Sequence, residues 1–553
     1  MLSYIIGFLL LGGIYDFSVS ATAICVVAEI LVHYHKKKPV WQKKRNYILW
    51  IPIAMVAWSA MVSFWALDMS ENMLGILRGV VLLLWMYRCF LLEEAEKQKI
   101  LQAIPYLGAT MVLVGIVSLV NVNLAAKFWQ ARRLGGFFQY SNTCALFLML
   151  GIVILVQQIL QKQNSNKSDF KTVVSKLFIR ENLVVAIVFV LLVLGIFLTG
   201  SRSILLLLLA WGVCQALKVK TLRVPFAVVS ALCLGGAYLY GILAGDNQNI
   251  ARIFTLFRSN STILGRILYD IDALSIALKH PFGLGYMGYY YIQPAVQTGV
   301  YTTRFVHNDF LQLLVDYGFV ALAAGVFYIG YQLLKGKQDT YKKELLVLIL
   351  VASLVDFHMQ YMSILMLLIL CLDLGERDRI KKQKELKENY FFCGIALVVS
   401  GYLTIAFGAQ YLGNNDLALT LFPGYTQAQM QKLNTCADKD EAVALADEIL
   451  SHNEYVSEAY HTKVYAAAME GDFETAMECM EHSLAIRRYD VATYQAYDEL
   501  LAEMIAACNS MDWSEQETLL AEYKEQLPDK LAALEEMTHP IAFKLRDVPV
   551  FEW

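Results

Sequence analysis

The chain has 553 residues, 57% of them hydrophobic and only 17% charged, with a mean hydropathy of +0.47. That composition excludes an ordinary soluble globular protein, and a formal net charge of −3 gives nucleic acid no handle. The small total hides a split: residues 434–553 carry 26 Asp and Glu against 8 Lys and Arg, and the remainder carries 38 basic against 23 acidic residues, so a basic membrane portion is joined to an acidic soluble one.

A spanning helix needs roughly 20 mainly apolar residues, and cytoplasmic loops are enriched in Lys and Arg. The N-terminus is apolar but lacks a basic flank and a small-residue cleavage site, so it reads as a retained helix. Short apolar segments near 2–15 and 17–34 lead into HKKKPVWQKKR, which belongs inside. Segment 47–67 runs outward and 72–92 returns to EEAEKQK; 99–120 goes out and 141–160 comes back to a Lys-rich loop at 161–181. Segment 183–199 rises to the turn TGSRS, 203–217 descends to KVKTLR, and 224–243 rises into the longest loop, 244–308. Segment 310–334 descends to KGKQDTYKK.

Residues 344–374 fit one tilted helix or two short ones. One helix would leave Arg377, Arg379, Lys381, Lys382, Lys384 and Lys387 outside, against the charge rule. Two helices turning near VDFHMQ return that segment to the cytoplasm and bring Asp356 and His358 to the outer face. The last span, 391–410, then exports the C-terminus. Three domains follow: a transmembrane domain at 1–411, a linker at 412–433, and an outward helical domain at 434–553. In the last, Ala459, Ala467, Ala476 and Ala485 flank a Gly471-Asp472 turn, a pattern similar to a tetratricopeptide unit. A partner-binding array and a rigid cap are both open readings. Cys25, Cys89, Cys144, Cys214, Cys233, Cys371 and Cys393 lie in apolar runs without CxxC or Cys/His spacing, which argues against disulfides and a structural zinc.

Polar residues gather at the outward ends. Arg202 in TGSRS is either a snorkelling turn residue or a functional cation. Arg132 and Arg133 sit outside against the charge rule, ahead of Gly135-Gly136 and Asn142, and basic residues there need an anionic reason such as a diphosphate. Arg252, Arg258 and Arg266 are candidates for a phosphate clamp, whereas the Asp270-Ile271-Asp272 triplet is a weak metal signal. Pro281, Gly283, Gly285 and Gly288 break any helix there. His307 and Asn308 precede a membrane helix holding Asp309, Asp316 and Gly318, and a His of near-neutral pKa can take a hydroxyl proton.

Over roughly residues 100–375 these segments resemble the O-antigen ligase and O-antigen polymerase superfamily. The resemblance rests on RLGGFFQYSN, TGSRS, GRILYDIDALSIALKHPFGLG, and His307-Asn308 with nine residues before Gly318. Ala321 stands where the ligase signature has Gly, Thr or Tyr, a departure from the ligase form. The resemblance implies an all-α polytopic membrane helix bundle of about twelve to thirteen spans, GT-C-like, with a C-terminal soluble helical-repeat domain. It further implies transfer of a glycan from undecaprenyl diphosphate to a glycan, lipid or protein acceptor, without metal or cofactor. Arg202, Arg266 and Arg133 would hold the diphosphate, His307 would activate the acceptor, Asp356 would assist, and Asn142, Asn308 and Gly318 would support them. The expected setting is the bacterial cytoplasmic membrane, N-terminus inside and C-terminal domain outside, with a protein partner for that domain. A polymerase of the same superfamily is the alternative. A flippase for lipid-linked sugars would put polar residues and repeats at mid-membrane, which this pattern lacks.

Overall fold

The computed structural model describes residues 1–36, 41–43, 47–164, 183–218, 261–375, 377–379 and 385–553. The expected span 224–243 and the clamp candidates Arg252 and Arg258 lie outside them. The described chain is all-α apart from two very short strand pairs. Six of its helices are long and apolar enough to cross a membrane: Asp16–His35, Met69–Leu91, Glu94–Ser118, Ser141–Ile159, Asp309–Lys335 and Tyr390–Tyr411.

Two compact units divide the chain, and neither is one continuous segment. The first comprises Met1–Pro52, Arg78–Ser259 and Val326–Thr404; the second comprises Ile53–Leu77, Asn260–Gly325 and Ile405–Trp553.

In chain order the first helices are α1 (Leu2–Leu9), α2 (Asp16–His35), α3 (Trp50–Val62), α4 (Met69–Leu91), α5 (Glu94–Ser118), α6 (Val122–Phe128) and α7 (Ser141–Asn164). The first unit centres on α7: Cys144 through Leu150 are all fully buried, as expected of a helix that is apolar on every face. Around α7 pack α5, α8 (Leu183–Thr199) and α9 (Arg202–Lys218), and the Phe147 ring stacks on Phe8 of α1 at 4.6 Å. Glu29 of α2, inside this apolar unit, is paired as the low dielectric favours: it takes Arg88 Nε at 3.0 Å and the N-terminal amine at 3.1 Å.

The apolar run 344–374 is two helices broken in the middle, as the charge pattern requires. Before the break, Thr340–Ser353 packs on α7; after it come a single 3-10 turn, His358–Gln360, and the helix Met362–Leu370. Arg78, buried in α4, donates to the carbonyls of Ile14 and Gln360, satisfying backbone that the break leaves without helical partners. Strand Trp41–Lys43 pairs antiparallel with Arg377–Arg379, joining the two basic segments.

In the second unit, residues 261–308 of the expected long loop are structured. They hold α10 (Ser261–Lys279) and α11 (Gly288–Val296), and α12 (Asp309–Lys335) follows. The helix Glu385–Tyr411 closes the membrane portion, and the stretch expected to be a linker at 412–433 is instead two short helices, Asn415–Leu421 and Thr426–Leu433. Their anchor is Asp68, 1% exposed, which accepts from Ser70 N and Oγ, Glu71 N, Thr426 Oγ1 (2.6 Å) and Asn453 Nδ2 (2.9 Å). A carboxylate buried with five donors fixes the following helices more firmly than a tether would.

Beyond it, Lys439–Leu450, Ser457–Glu470, Phe473–Ile486, Val491–Met511 and Ser514–Ala532 each pack on the next. Ala459, Ala467 and Ala476 are buried where helices meet, whereas Ala485 faces outward and packs nothing. Gly471 (φ +76°) ends one helix, and Asp472 caps the next through Thr475 N at 3.1 Å. These helices also bear on α10: His539 N donates to Thr298 O, Arg546 N to Ser261 Oγ, and Ala542 packs with Leu268 and Tyr301.

Candidate active site

Candidate residues gather in one cluster in each unit. In the first, the chain after α6 makes a minimal hairpin in which Trp129–Gln130 pairs with Arg133–Leu134 through a two-residue turn. Both turn residues, Ala131 and Arg132, have positive φ (45° and 63°), the conformation a right-twisted two-residue hairpin needs. This aims Arg133 back at the helix ends. Its Nε donates to Thr199 O at 2.7 Å, one of the carbonyls left over at the end of α8. Its Nη2 donates to Asn142 Oδ1 at 2.9 Å.

Asn142 stands in the first turn of α7 and passes the contact on. Its Nδ2 donates to Asp356 Oδ2 at 2.6 Å and to Tyr140 Oη at 3.1 Å, and Tyr140 Oη donates to Asp356 Oδ1 at 2.8 Å. Asp356, fully buried at the break in 344–374, also accepts from Phe357 N at 3.0 Å, and the Phe357 ring stacks on Tyr140 at 4.5 Å. Next to Asn142, Thr143 Oγ1 and the buried His358 Nδ1 are 3.0 Å apart. Three residues chosen from sequence, Arg133, Asn142 and Asp356, thus form one continuous polar chain. Arg202 begins α9 just beyond Thr199, after Gly200 (φ +59°) and the buried Ser201. A guanidinium at a helix N-terminus adds to the positive end of the helix dipole, so the position favours an anion.

The second cluster joins α10 to the start of α12. Arg266 and Asp270 are four residues apart, hence neighbours on one face of α10. Asn308 precedes α12 and caps it: Oδ1 accepts from Phe310 N (3.1 Å) and Leu311 N (3.3 Å). Its amide nitrogen is thereby left as the donor, and the Asn308 side chain hydrogen-bonds Asp270. His307 and Arg266 lie close enough to Asp270 to stabilise its charge. Burial nevertheless pushes the Asp270 carboxyl up to about 6, outweighing the Asn308 hydrogen bond and the nearby His307 and Arg266. The His307 ring sits 5.7 Å from that of Tyr269, whose phenol is raised chiefly by burial. Gln312, 1% exposed, accepts from Val306 N at 2.7 Å and donates to Asp316 at 2.9 Å, so the segment leading into His307 is tied to α12.

The nine-residue spacing to Gly318 has a structural reason. Gly318 (φ +76°, ψ −177°) interrupts α12, so Val315, Asp316 and Tyr317 carbonyls lose their helical donors. Leu284 N, Gly285 N and Trp58 Nε1 replace them at 2.9, 2.8 and 2.7 Å, while Phe319 N turns to Pro281 O at 3.0 Å. A Cβ on Gly318 would lie 2.4 Å from Pro281 O, and one on Gly283 would lie 2.4 Å from Asp316 O. The Pro281–Gly285 turn and the helix break are therefore halves of one joint that sets the direction of His307's helix. Ala321, the departure from the ligase signature, is buried behind it.

The Asp270-Ile271-Asp272 triplet does not act as a pair. Asp272 is occupied by Thr298 N (3.0 Å), Thr298 Oγ1 (2.7 Å) and Tyr301 Oη (2.6 Å), while Asp270 belongs to His307 and Asn308.

Residues 187–326 match the family model described as O-antigen ligase. That stretch is similar to an O-antigen ligase domain. No curated protein and no solved structure matches this O-antigen ligase-type chain. Together with six helices long and apolar enough to cross a membrane, the match supports a membrane glycosyltransferase of the O-antigen ligase and polymerase type. The matched stretch contains Arg202, Arg266, His307, Asn308 and Gly318; Arg133, Asn142 and Asp356 lie outside it.

Sequence reasoning passed over Tyr140 and Thr143, and it weighed Asp270 only as a metal ligand. The Arg266-x3-Asp270 spacing was the available signal, because it puts a carboxylate on the helix face of a phosphate-binding candidate.

Proposed function

We propose that this O-antigen ligase-type chain transfers a glycan from undecaprenyl diphosphate to an acceptor hydroxyl at the outer face of the cytoplasmic membrane, as a ligase without metal. The observation that carries the reading is the grouping of Arg266, Asp270, His307 and Asn308 inside the matched stretch. The acceptor oxygen attacks the anomeric carbon, and the bond from that carbon to the diphosphate oxygen breaks with its electron pair leaving on undecaprenyl diphosphate. The hydroxyl proton passes to the base beside it, His307. Arg266 neutralises the diphosphate, and its contact strengthens as charge develops on the leaving group; Arg202 and Arg133 carry the same guanidinium chemistry within the first unit. Asp356 acts at one remove, by holding Asn142 and through it Arg133. Cationic side chains supply the charge that a metal would otherwise supply, and the separate commitments of Asp270 and Asp272 favour that view.

Support for an outward C-terminus comes from the contacts of Thr426, Asn453, His539 and Arg546 with segments 53–77 and 261–301, which require one common side of the membrane. The pairing of Trp41–Lys43 with Arg377–Arg379 likewise supports a shared cytoplasmic side for the basic segments. The helices after 434 are read as a tetratricopeptide-like array that receives a macromolecular acceptor or an assembly partner.

Deleting the gene tests the class: unattached polymer on the lipid carrier is expected of a ligase, and single repeat units would instead mean a polymerase. Arg202→Ala, Arg266→Ala and His307→Ala should each lower transfer about a hundredfold, equivalent to about 3 kcal/mol of barrier, at normal protein levels. Wild-type transfer by all three variants would refute the catalytic reading.

A further inference from the structure

A buried carboxylate oxygen is normally hydrogen-bonded, because leaving it bare forfeits both water and a protein partner. Asp270 breaks that rule. Its Oδ1 is buried with no hydrogen-bond partner, although Asn308 engages the carboxylate and His307 and Arg266 stand near it. The neighbouring carboxylate on the same helix, Asp272, is by contrast saturated by three donors from 298–301. Helix geometry could have presented any residue type at position 270, and an apolar one would have avoided the desolvation. An acceptor atom held bare, rigid and beside a candidate catalytic imidazole has the form of a site completed by a substrate hydroxyl.

We propose that Asp270 Oδ1 is a second proton acceptor at this site, receiving the acceptor hydroxyl's hydrogen bond and, as the new glycosidic bond forms, its proton. The inference rests on the glycan-transfer reading above. In this route, which takes the place of proton transfer to His307, the acceptor O–H bond breaks toward Oδ1, the oxygen–anomeric carbon bond forms, and the anomeric carbon–diphosphate bond breaks with its electron pair leaving on the diphosphate. Nothing further is consumed. Asn308 engages the carboxylate, and Arg266 on the same helix face steadies its negative form before transfer. With a carboxyl raised to about 6, the group is a far better base than an exposed aspartate yet still mostly ionised at about pH 7. The other titratable groups close enough to act on its charge are Arg266 on α10, Tyr289 on α11 and His307 before α12.

The test uses full-length protein in membranes and lipid-linked glycan extracted from cells lacking it. Asp270→Asn, nearly isosteric, should lower transfer about a hundredfold, and Asp270→Glu should restore part of it. His307→Ala should retain a residual rate that falls as pH drops through about 6, and adding Asp270→Asn should abolish that residue and its pH dependence. A wild-type rate for Asp270→Asn, or a His307→Ala pH profile unchanged by it, overturns the inference while leaving the transfer reading in place. Wild-type rates for Arg266→Ala and His307→Ala as well would instead bring down the transfer reading itself. Unaltered thermal midpoints for the variants separate loss of chemistry from loss of fold.

Discussion

The Arg133–Asn142–Asp356 chain has a direction, and reversing it is a stringent test of the geometry. Asn142 Oδ1 must accept from Arg133 and its Nδ2 must donate to Asp356 Oδ2 at 2.6 Å, so the carboxylate sets which way the amide points. In Asp356→Asn, one oxygen can still accept from Tyr140 and Phe357 N, but an amide nitrogen now faces Asn142 Nδ2. Donor meets donor; turning the Asn142 amide over only moves the conflict to Arg133. At a fully buried position this loses one charge-assisted hydrogen bond and strands a donor, about 2–3 kcal/mol. Asn142→Asp alone brings two carboxylates to the same close contact and should cost at least as much. The exchange Asn142→Asp with Asp356→Asn restores the polarity of the Arg133–142 and 142–356 contacts and gives up only the 3.1 Å contact of position 142 with Tyr140 Oη. The carboxylate now at position 142 accepts from Arg133 and from the amide now at position 356, whose oxygen still accepts from Tyr140. We expect both single variants to lower the thermal midpoint in detergent and the double variant to recover more than half of the loss, a coupling of about 2 kcal/mol. Additive losses would refute the directional chain, whatever the protein's activity.

The remaining predictions concern the second unit. Gly318→Ala forces a side chain into left-handed backbone and against Pro281 O, so it should destabilise by at least about 2 kcal/mol and lower transfer by moving His307's helix; an unchanged midpoint would refute the joint between Gly318 and the Pro281–Gly285 turn. Asp68→Ala strips the acceptor from five donors and should speed hydrogen exchange in Thr426–Leu433 by about a hundredfold, worth about 3 kcal/mol; unchanged exchange would mean that Asp68 does not anchor these helices.

Much of the fold was legible because the membrane makes composition and charge strong signals. The break in 344–374 could be inferred from six basic residues that one helix would strand outside, and the structure has that break at Leu354–Tyr361. The helix in the long loop was not legible: α10 buries Gly265, Leu268, Asp272, Ala273, Ile276 and Ala277 on one side only, a half-apolar pattern that hydropathy alone reads as loop. Likewise 412–433 looked like a linker because its helices are short and polar, and their order comes from Asp68, 358 positions before Thr426 in sequence. At the site, residues with an unusual charge for their side of the membrane were found. Tyr140 and Thr143 were not, since a tyrosine or threonine near a membrane boundary is unremarkable until its partner is known.

The two clusters share a construction that follows from helix termini. Asn142 and Asn308 each stand at or just before the first turn of a helix, where backbone N–H groups lack helical partners and a short amide side chain fits. At Asn308 the backbone decides the amide's orientation: Phe310 N and Leu311 N claim the oxygen, so the nitrogen must donate outward, and Asp270 receives it. At Asn142 side chains decide it, the Asp356 carboxylate claiming the nitrogen and leaving the oxygen for Arg133. One amide therefore steadies an acid, the other a guanidinium, and these are the two kinds of group that leaving-group stabilisation and proton removal require. Because each orientation is fixed by contacts formed on folding, neither need be reset later, so under the proposed transfer reading each cluster is organised electrostatically before it meets a ligand.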